Sequence, residues 1–389
     1  MRIRKISLYH LSLPFRSSFG HARAKHTETH NVIVECCLEN GLAGYGESVP
    51  RDYVTGESID SVFRLFEKTH HAHFQKNVGS PGELIKYLSS GWCEWNESEN
   101  NGGSQAARCA LELALLDAYG KFFNMSAGDL IDGFAGEKAP GKSPAVSGVI
   151  GAGGPLKQRF LARAMRFYGL PGVKLKVGSD KEDVLKSVKG VRRALGKKYG
   201  LRIDANGAWS YSEAVDILGA LGPLNLNAVE EPLKKEDKHR LAELKQRVRQ
   251  KIILDESVCS KEDLEWAIKE KCTDGVNIRI SKCGGLIPAL EMAAEVRQHR
   301  LILQLGAHVG ETGILDAAAR HFLRFFPGVD FLETSYGGFL LKHSLVKEKF
   351  GFGRGGKLKG KMHATGLGIH VDRELLENYT KRYFEVSPL

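Results

Sequence analysis

The sequence predicts an α/β protein whose larger part is a parallel (β/α) barrel, preceded by an antiparallel sheet and several helices. Two observations carry this. From Ser143 onward, short aliphatic runs alternate eight times with amphipathic helical stretches, with strands expected near 144–150, 172–177, 201–204, 227–230, 252–255, 275–280, 301–305 and 329–333. The runs end in charged residues (Lys174 and Lys176, Asp204, Glu230, Asp255) that recur every 24 to 28 positions, the length of one strand, one helix and two short loops. In such a barrel the strand C-termini share one face, so three acids and two lysines converge on one mouth.

Taken in order, residues 1–135 read as a first domain. Ile3–Leu11 and Thr29–Leu38 alternate as antiparallel strands, and Glu39-Asn40-Gly41 supplies a turn. Loops are expected at Ser17–His21 and Pro50–Glu57. A helix is expected from Ser104 to Phe123, where Ala107, Ala110, Leu111, Ala114, Leu115 and Ala118 form a stripe at helical spacing. The Gly- and Ala-rich stretch 133–141 reads as a linker. The barrel is assigned to 136–340, and 341–389 to an irregular, Gly-rich segment that ends in a short helix and returns to the first domain.

With 389 residues, 42% hydrophobic and 26% charged, the chain has the composition of an ordinary globular protein. It contains no apolar run long enough to span a membrane. No secretory signal is read at its start, and seven scattered cysteines read as free thiols, which together point to the cytoplasm. The net charge of +10 is spread through amphipathic helices without interleaved aromatics, so a solvated basic surface that attracts small anions is favoured over nucleic-acid binding.

Asp204, Glu230 and Asp255 carry the first chemical reading. Any one alone is explained by a helix cap or a salt bridge. Three carboxylates at near-equal spacing repel unless a cation neutralises them, and all-oxygen ligation suits Mg²⁺, with Mn²⁺ as a substitute. Lys174 and Lys176 flank Leu175 and point into the mouth. A cation and a second lysine nearby disfavour an ammonium, which brings a lysine towards the range of a usable base.

At this point the chain resembles the enolase superfamily, closest to its muconate lactonizing enzyme subgroup (the mandelate racemase/muconate lactonizing enzyme family). The motifs are Lys174-Leu-Lys-Val-Gly, Asp204-Ala-Asn-Gly-Ala-Trp, Glu230-Glu-Pro-Leu, Asp255-Glu-Ser and Lys282-Cys-Gly-Gly-Leu, and the likeness covers nearly the whole chain. It implies a modified (β/α)7β TIM-type barrel and an α+β capping domain completed by the C-terminal segment. It also implies a Mg²⁺-bound carboxylate substrate whose α-proton is removed to give a metal-stabilised enediolate. On that basis Asp204, Glu230 and Asp255 are the metal ligands, Lys176 the base and Lys174 its support. Phe19, His21, Arg51 and Tyr53 of the cap, with Asn206, Lys282 and Glu311, are assigned to the substrate. A symmetric homo-oligomer is also implied.

Strand six departs from the pattern. Where the subgroup carries a second lysine base, this chain has Arg279. Arginine is neutral at pH 7 only about once in 10⁵ to 10⁶ molecules, roughly 7 kcal/mol against it, so Arg279 reads as a fixed cation. His308 and Glu333, ending strands seven and eight, resemble the histidine base and glutamate acid of mandelate racemase relatives. Arg279 would hold His308 neutral and so able to accept a proton; His308 can equally be a mouth-lining residue that only binds substrate, and Glu333 can equally pair with Arg279. Phe331 stands where dipeptide epimerases carry the first residue of Asp-x-Asp, which argues against that activity. The reading is an isomerase or lyase doing one-base cycloisomerisation or syn elimination, as in muconate cycloisomerases and o-succinylbenzoate synthases. The alternatives are a two-base racemase or epimerase using Lys176 and His308, and a catalytically silent binding relative.

Overall fold

The computed structural model describes residues 1–21, 24–69, 74, 76–89, 103–132, 144–151 and 153–387, and of residues 18–21 and 24–26 the backbone alone. Strands β1 (Ile3–His21), β2 (Ala24–Leu38) and β3 (Ala43–Ser48) form an antiparallel sheet, followed by helices α1 (Ile59–Lys68), α2 (Pro81–Ser89), α3 (Gln105–Phe123) and α4 (Ala127–Leu130). The expected helix begins after its cap residue Ser104, and its six-residue stripe is fully buried. Burial extends to fourteen of its nineteen residues, because α3 packs on β2 and β3 on one side and meets barrel residues on others.

Then come β4 (Gly148–Ile150), α5 (Pro155–Phe167), β5 (Gly172–Lys176), α6 (Lys181–Leu195), β6 (Gly200–Asp204), α7 (Tyr211–Leu221), β7 (Ala228–Glu230) and α8 (Leu241–Arg247). The alternation continues with β8 (Lys251–Leu254), α9 (Lys261–Lys269), β9 (Gly275–Ile278), α10 (Leu286–Gln298), β10 (Ile302–Leu305), α11 (Gly313–Phe325) and β11 (Phe331–Leu332). The eight strands pair in parallel in chain order. A parallel bridge between Val146 and Leu332, with Ser147 N donating to Leu332 O at 2.8 Å, closes the ring. All eight expected strands are present, the first and last shorter than the sequence suggests.

Two local expectations are corrected. Ser17–His21 is not a loop: it continues β1, and Phe19, Gly20 and His21 pair with His26, Lys25 and Ala24. The ladder shifts after Pro14, which has no N–H to donate, and then resumes. The chain also does not end in a helix. After α12 (Gly337–Leu340) and the small hairpin β12 (Gly351–Phe352) and β13 (Leu358–Lys359), helix α13 (Arg373–Tyr379) leads into β14 (Thr380–Val386). Strand β14 pairs antiparallel with β1 at the sheet edge. Residues 133–141, read as a linker, lie outside the described residues.

Two buried glutamates fasten the antiparallel part to the barrel. Glu47 of β3 accepts from Thr312 N at 2.8 Å and Leu315 N at 3.1 Å, at the start of α11. Glu112 of α3 accepts from Ile287 N at 2.9 Å, at the start of α10. Each satisfies N–H groups that a helix cannot bond internally. Gly285 has φ +132°, and a Cβ there would fall 1.4 Å from Glu112 Oε2, which explains the paired glycines of the Lys282-Cys-Gly-Gly-Leu motif. Among the described residues no helix is long and apolar enough to cross a membrane, and six cysteines are free.

Candidate active site

The barrel's strand ends assemble a buried charged cluster. Asp204 and Glu230 are register partners on β6 and β7, Lys176 is the partner of Asp204 on β5, and Asp255 follows β8. Strict inside–outside alternation places Lys174 on the same face as Lys176, with Leu175 buried against the helices. Lys174 Nζ lies 3.0 Å from both oxygens of Glu230, 3.7 Å from Asp204 and 2.5 Å from Glu333. Burial alone would lower its pKa, but Glu230, Glu333 and Asp204 outweigh it and hold the ammonium above its ordinary value. Lys176 Nζ donates to Asp204 Oδ2 at 3.1 Å and Asn206 Oδ1 at 2.8 Å.

Arg279 follows β9 and pairs with Asp255 Oδ2, not with Glu333. Glu333 is taken by Lys174 and by Arg202, whose Nη2 is 2.7 Å away. Lys282, the largest charged residue to be fully buried, spends its three donors on Asp255 O (2.6 Å), Asp255 Oδ1 (3.0 Å) and Asn277 O (2.7 Å). An ammonium has three hydrogens, so Lys282 orients Asp255 and has no donor left for a substrate, contrary to the sequence expectation. His308 follows β10, is buried, and has neither ring nitrogen hydrogen-bonded among the described residues. Burial, then the charges of Arg279, Arg51 and Lys282, push its pKa well below the ordinary value, so the ring is neutral. Its backbone N–H donates to Glu311 Oε1 at 2.6 Å, which uses Glu311 to shape this turn. Arg51, from the loop after β3, reaches Val309 O at 3.2 Å and Thr29 Oγ1 at 3.3 Å, which sets the cap loop over the barrel mouth. Tyr53 is half-exposed on the same loop. The side chains of Phe19 and His21 lie outside the described residues.

Sequence reasoning passed over a layer beneath these groups. Arg202 lies two residues before the end of β6, and Asn277 and Gln304 lie one residue before the ends of β9 and β10. Asn277 Nδ2 and Gln304 Nε2 donate to Glu230 at 2.9 and 3.0 Å, and Arg202 bonds Gln304 and stacks over Phe331 at 3.9 Å. Burial would raise the Glu230 carboxyl, but Lys174, Arg202 and Arg279 hold it well below the usual range. Glu231 was also missed. Its backbone has φ +38°, a costly conformation for a residue with a Cβ, and its carboxylate accepts from Asp255 N at 2.8 Å and Ser257 N at 3.2 Å. The turn that aims Asp255 is thereby fixed.

The donors suit a hard divalent cation. Asp204, Glu230 and Asp255 offer only carboxylate oxygen. Beside them Glu256 Oε2 is buried without a partner, and burial together with Glu231 and Asp204 raises its pKa, the mark of surplus negative charge at this spot. The three acids are spread more widely than 4.8 Å, since Lys174 stands between Glu230 and Asp204 and Arg279 draws on Asp255.

A family model described as "Enolase C-terminal domain-like" matches residues 158–375, more than half of the chain. The chain belongs to the enolase superfamily. Within it, the resemblance is to the mandelate racemase/muconate lactonizing enzyme group. N-succinyl-L-Arg/Lys racemase of Bacillus cereus is 29% identical over 324 residues, 82% of this chain and 84% of the relative. Its crystal structure superposes with a TM-score of 0.85 at 26% identity, covering 99% of this chain and 100% of that one. The o-succinylbenzoate synthase of Listeria innocua is 27% identical over 402 residues, 99% of this chain and 98% of the relative. A dipeptide epimerase from Enterococcus faecalis, solved with Mg and the dipeptide L-Leu-L-Tyr, has a TM-score of 0.81 at 26% identity over 95% of this chain and 99% of that one. These superfamily relatives are isomerases and a lyase, and this chain is an enzyme of that broad kind.

Proposed function

We propose that this enzyme removes the α-proton of a small carboxylate substrate with Lys176 as its only base, and completes a cycloisomerisation or syn elimination. The observation that carries this reading is the residue opposite the base. Strands β5 and β9 are four apart in an eight-stranded ring, so Lys176 and Arg279 face each other across the mouth. A guanidinium tied to Asp255 cannot accept a proton from the second face of a substrate.

Mg²⁺ held by Asp204, Glu230 and Asp255, with Mn²⁺ as a substitute, would supply Lewis-acid stabilisation of the substrate carboxylate as charge develops. Lys176, steadied by Asn206, takes the proton. Lys174 keeps its charge and lies beside the acids as a second fixed cation. Arg279 and Arg51 provide positive potential for an anionic end of the substrate, and Tyr53 provides a half-exposed contact at the rim.

A second reading, racemisation or epimerisation between Lys176 and His308, is favoured by one observation: the His308 ring is neutral, buried and free at both nitrogens. Likeness to N-succinyl-L-Arg/Lys racemase supports it too. Proton NMR in D₂O of pooled N-acyl amino acids, dipeptides, acid sugars and muconate-like diacids, with enzyme and Mg²⁺, separates the two. Substrate loss to a lactone or alkene, or α-exchange with retention, supports the one-base reading. Exchange with inversion that disappears in His308→Gln replaces it with the two-base one. Neither exchange nor turnover, with no rise in melting temperature on adding Mg²⁺, would indicate a silent relative.

A further inference from the structure

A second cluster of metal-ligating side chains lies away from the barrel mouth, in the segment between α12 and α13. Glu348 Oε1 is 3.0 Å from His370 Nδ1 and 3.0 Å from His363 Nε2, and the three donor atoms lie within 4.8 Å of one another. This is the one such trio among the described residues. The main chain builds it. Val346 and Val371 form an antiparallel bridge, Lys347 N donates to His370 O at 2.9 Å, and Asp372 N to Leu345 O at 2.9 Å, so Glu348 and His370 sit side by side. His363 N donates to Gly368 O at 3.0 Å, which turns the chain back at Gly368 (φ +78°) and brings the second imidazole over the first. The rings stand edge to face with centroids 4.1 Å apart. The Glu348 side chain is only 5% exposed, and its Oε2 accepts His370 N–H at 3.0 Å, which leaves Oε1 aimed at both rings.

We propose that Glu348, His363 and His370 form a second metal site, for a borderline divalent cation such as Zn²⁺, with water completing the coordination. Two imidazole nitrogens and one carboxylate oxygen are a donor set for Zn²⁺ rather than for Mg²⁺, unlike the all-carboxylate set in the barrel. Zinc–ligand distances of about 2.0–2.1 Å in a tetrahedron place donors roughly 3.3 Å apart, close to the two 3.0 Å Glu–His distances, while the two imidazole nitrogens, within 4.8 Å of each other, close on the ion by rotation of exposed rings. Both rings are more than half exposed, at 55% and 57%, which leaves the outer side open to water. The ion would clip the strand entering this segment to the one leaving it, immediately before α13 and β14 carry the chain back to the cap.

The test uses the full protein, stripped with a chelator and returned to excess Mg²⁺, then titrated with Zn²⁺ in competition with a chromogenic chelator near neutral pH. One Zn²⁺ per chain is expected. Affinity should fall roughly tenfold or more in H363A/H370A and in E348Q, and should persist in Asp204→Asn, where the barrel site is impaired. Co²⁺ should give the visible absorption of a tetrahedral site in wild type and not in H363A/H370A, and Zn²⁺ should raise the melting temperature of wild type and Asp204→Asn but not of H363A/H370A. Because both imidazoles are exposed, circular dichroism of the double variant should match wild type. Unchanged Zn²⁺ stoichiometry and affinity in H363A/H370A, or no binding to wild type in excess Mg²⁺, overturns the proposal.

Discussion

Replacing Glu47 by Gln tests how the cap is fastened to the barrel. The Glu47 carboxyl accepts from Asn31 Nδ2 (2.5 Å), Thr312 N and Oγ1 (both 2.8 Å) and Leu315 N (3.1 Å), and the residue is fully buried. Burial raises its pKa from 4.5 to about 7 against the pull of those hydrogen bonds. Between these two values the folded chain keeps a proton that the unfolded chain has released. The contribution is therefore full below pH 4.5 and is lost as pH rises through about 7. At about 1.4 kcal/mol per pH unit the window amounts to about 3 kcal/mol. Gln cannot ionise, so it removes this slope. It also forfeits the Leu315 bond, but equally at every pH, so the slope rather than the level is diagnostic. Urea unfolding of both proteins across the window should show E47Q gaining about 3 kcal/mol on wild type from the acid end to the alkaline end. A wild-type minus E47Q difference that stays flat with pH would refute the reasoning.

Three further outcomes are expected. Lys176→Arg keeps a cation beside Asp204 but cannot take a proton, so α-deuterium exchange should drop by about 10²- to 10⁴-fold while the Mg²⁺-induced rise in melting temperature persists; unaltered exchange would place the base elsewhere. Gly285→Ala forces a Cβ against Glu112 at φ +132° and should destabilise by about 3 kcal/mol in thermal melts, with part recovered in G285A/E112A; a neutral effect would show that α3 and α10 are not closely docked. Burial lowers the pKa of His321 from 6.5 to about 4 against the upward pull of the Leu367 O contact at Nε2, while Nδ1 accepts Gly128 N–H. Its neutral form stabilises the fold above pH 6.5, and that stability is lost as pH falls towards about 4, a loss that His321→Gln should reduce in acid-unfolding curves.

The barrel and its charged rim were legible because each strand is an aliphatic run ended by a charge, and the spacing of those charges is the length of the repeat. The layer below the rim follows from the same alternation. Arg202 stands two before Asp204 and Asn277 two before Arg279, so the same period of two that placed Lys174 beside Lys176 places them inside. Other features had no local signal. Glu47 and Glu112 look like ordinary polar positions, and their partners at Thr312 and Ile287 lie far along the chain. Strand β14 escaped because Lys381, Arg382 and Glu385 fall on a half-solvated edge, where alternation of burial does not require alternation of hydrophobicity. Arg279 was visible, but its partner was not. Only the fold decides between Glu333 and Asp255, and it does so by giving Glu333 to Lys174 and Arg202.

The pairing of β1 with β14 has a consequence for how the molecule is made. Ile6 lies against Val386 and Leu11 against Thr380, so after β1 has left a ribosome about 370 further residues must be synthesised before its edge partner exists. At about 5–20 residues per second this wait is on the order of tens of seconds. Throughout that time β1 has only β2 beside it and offers an open edge to neighbouring chains. The barrel, whose strands join in the order in which they emerge, can close meanwhile. The antiparallel sheet is thus begun before the barrel and completed after it, and a chain stalled or nicked before Thr380 would carry a formed barrel beneath an unfinished sheet.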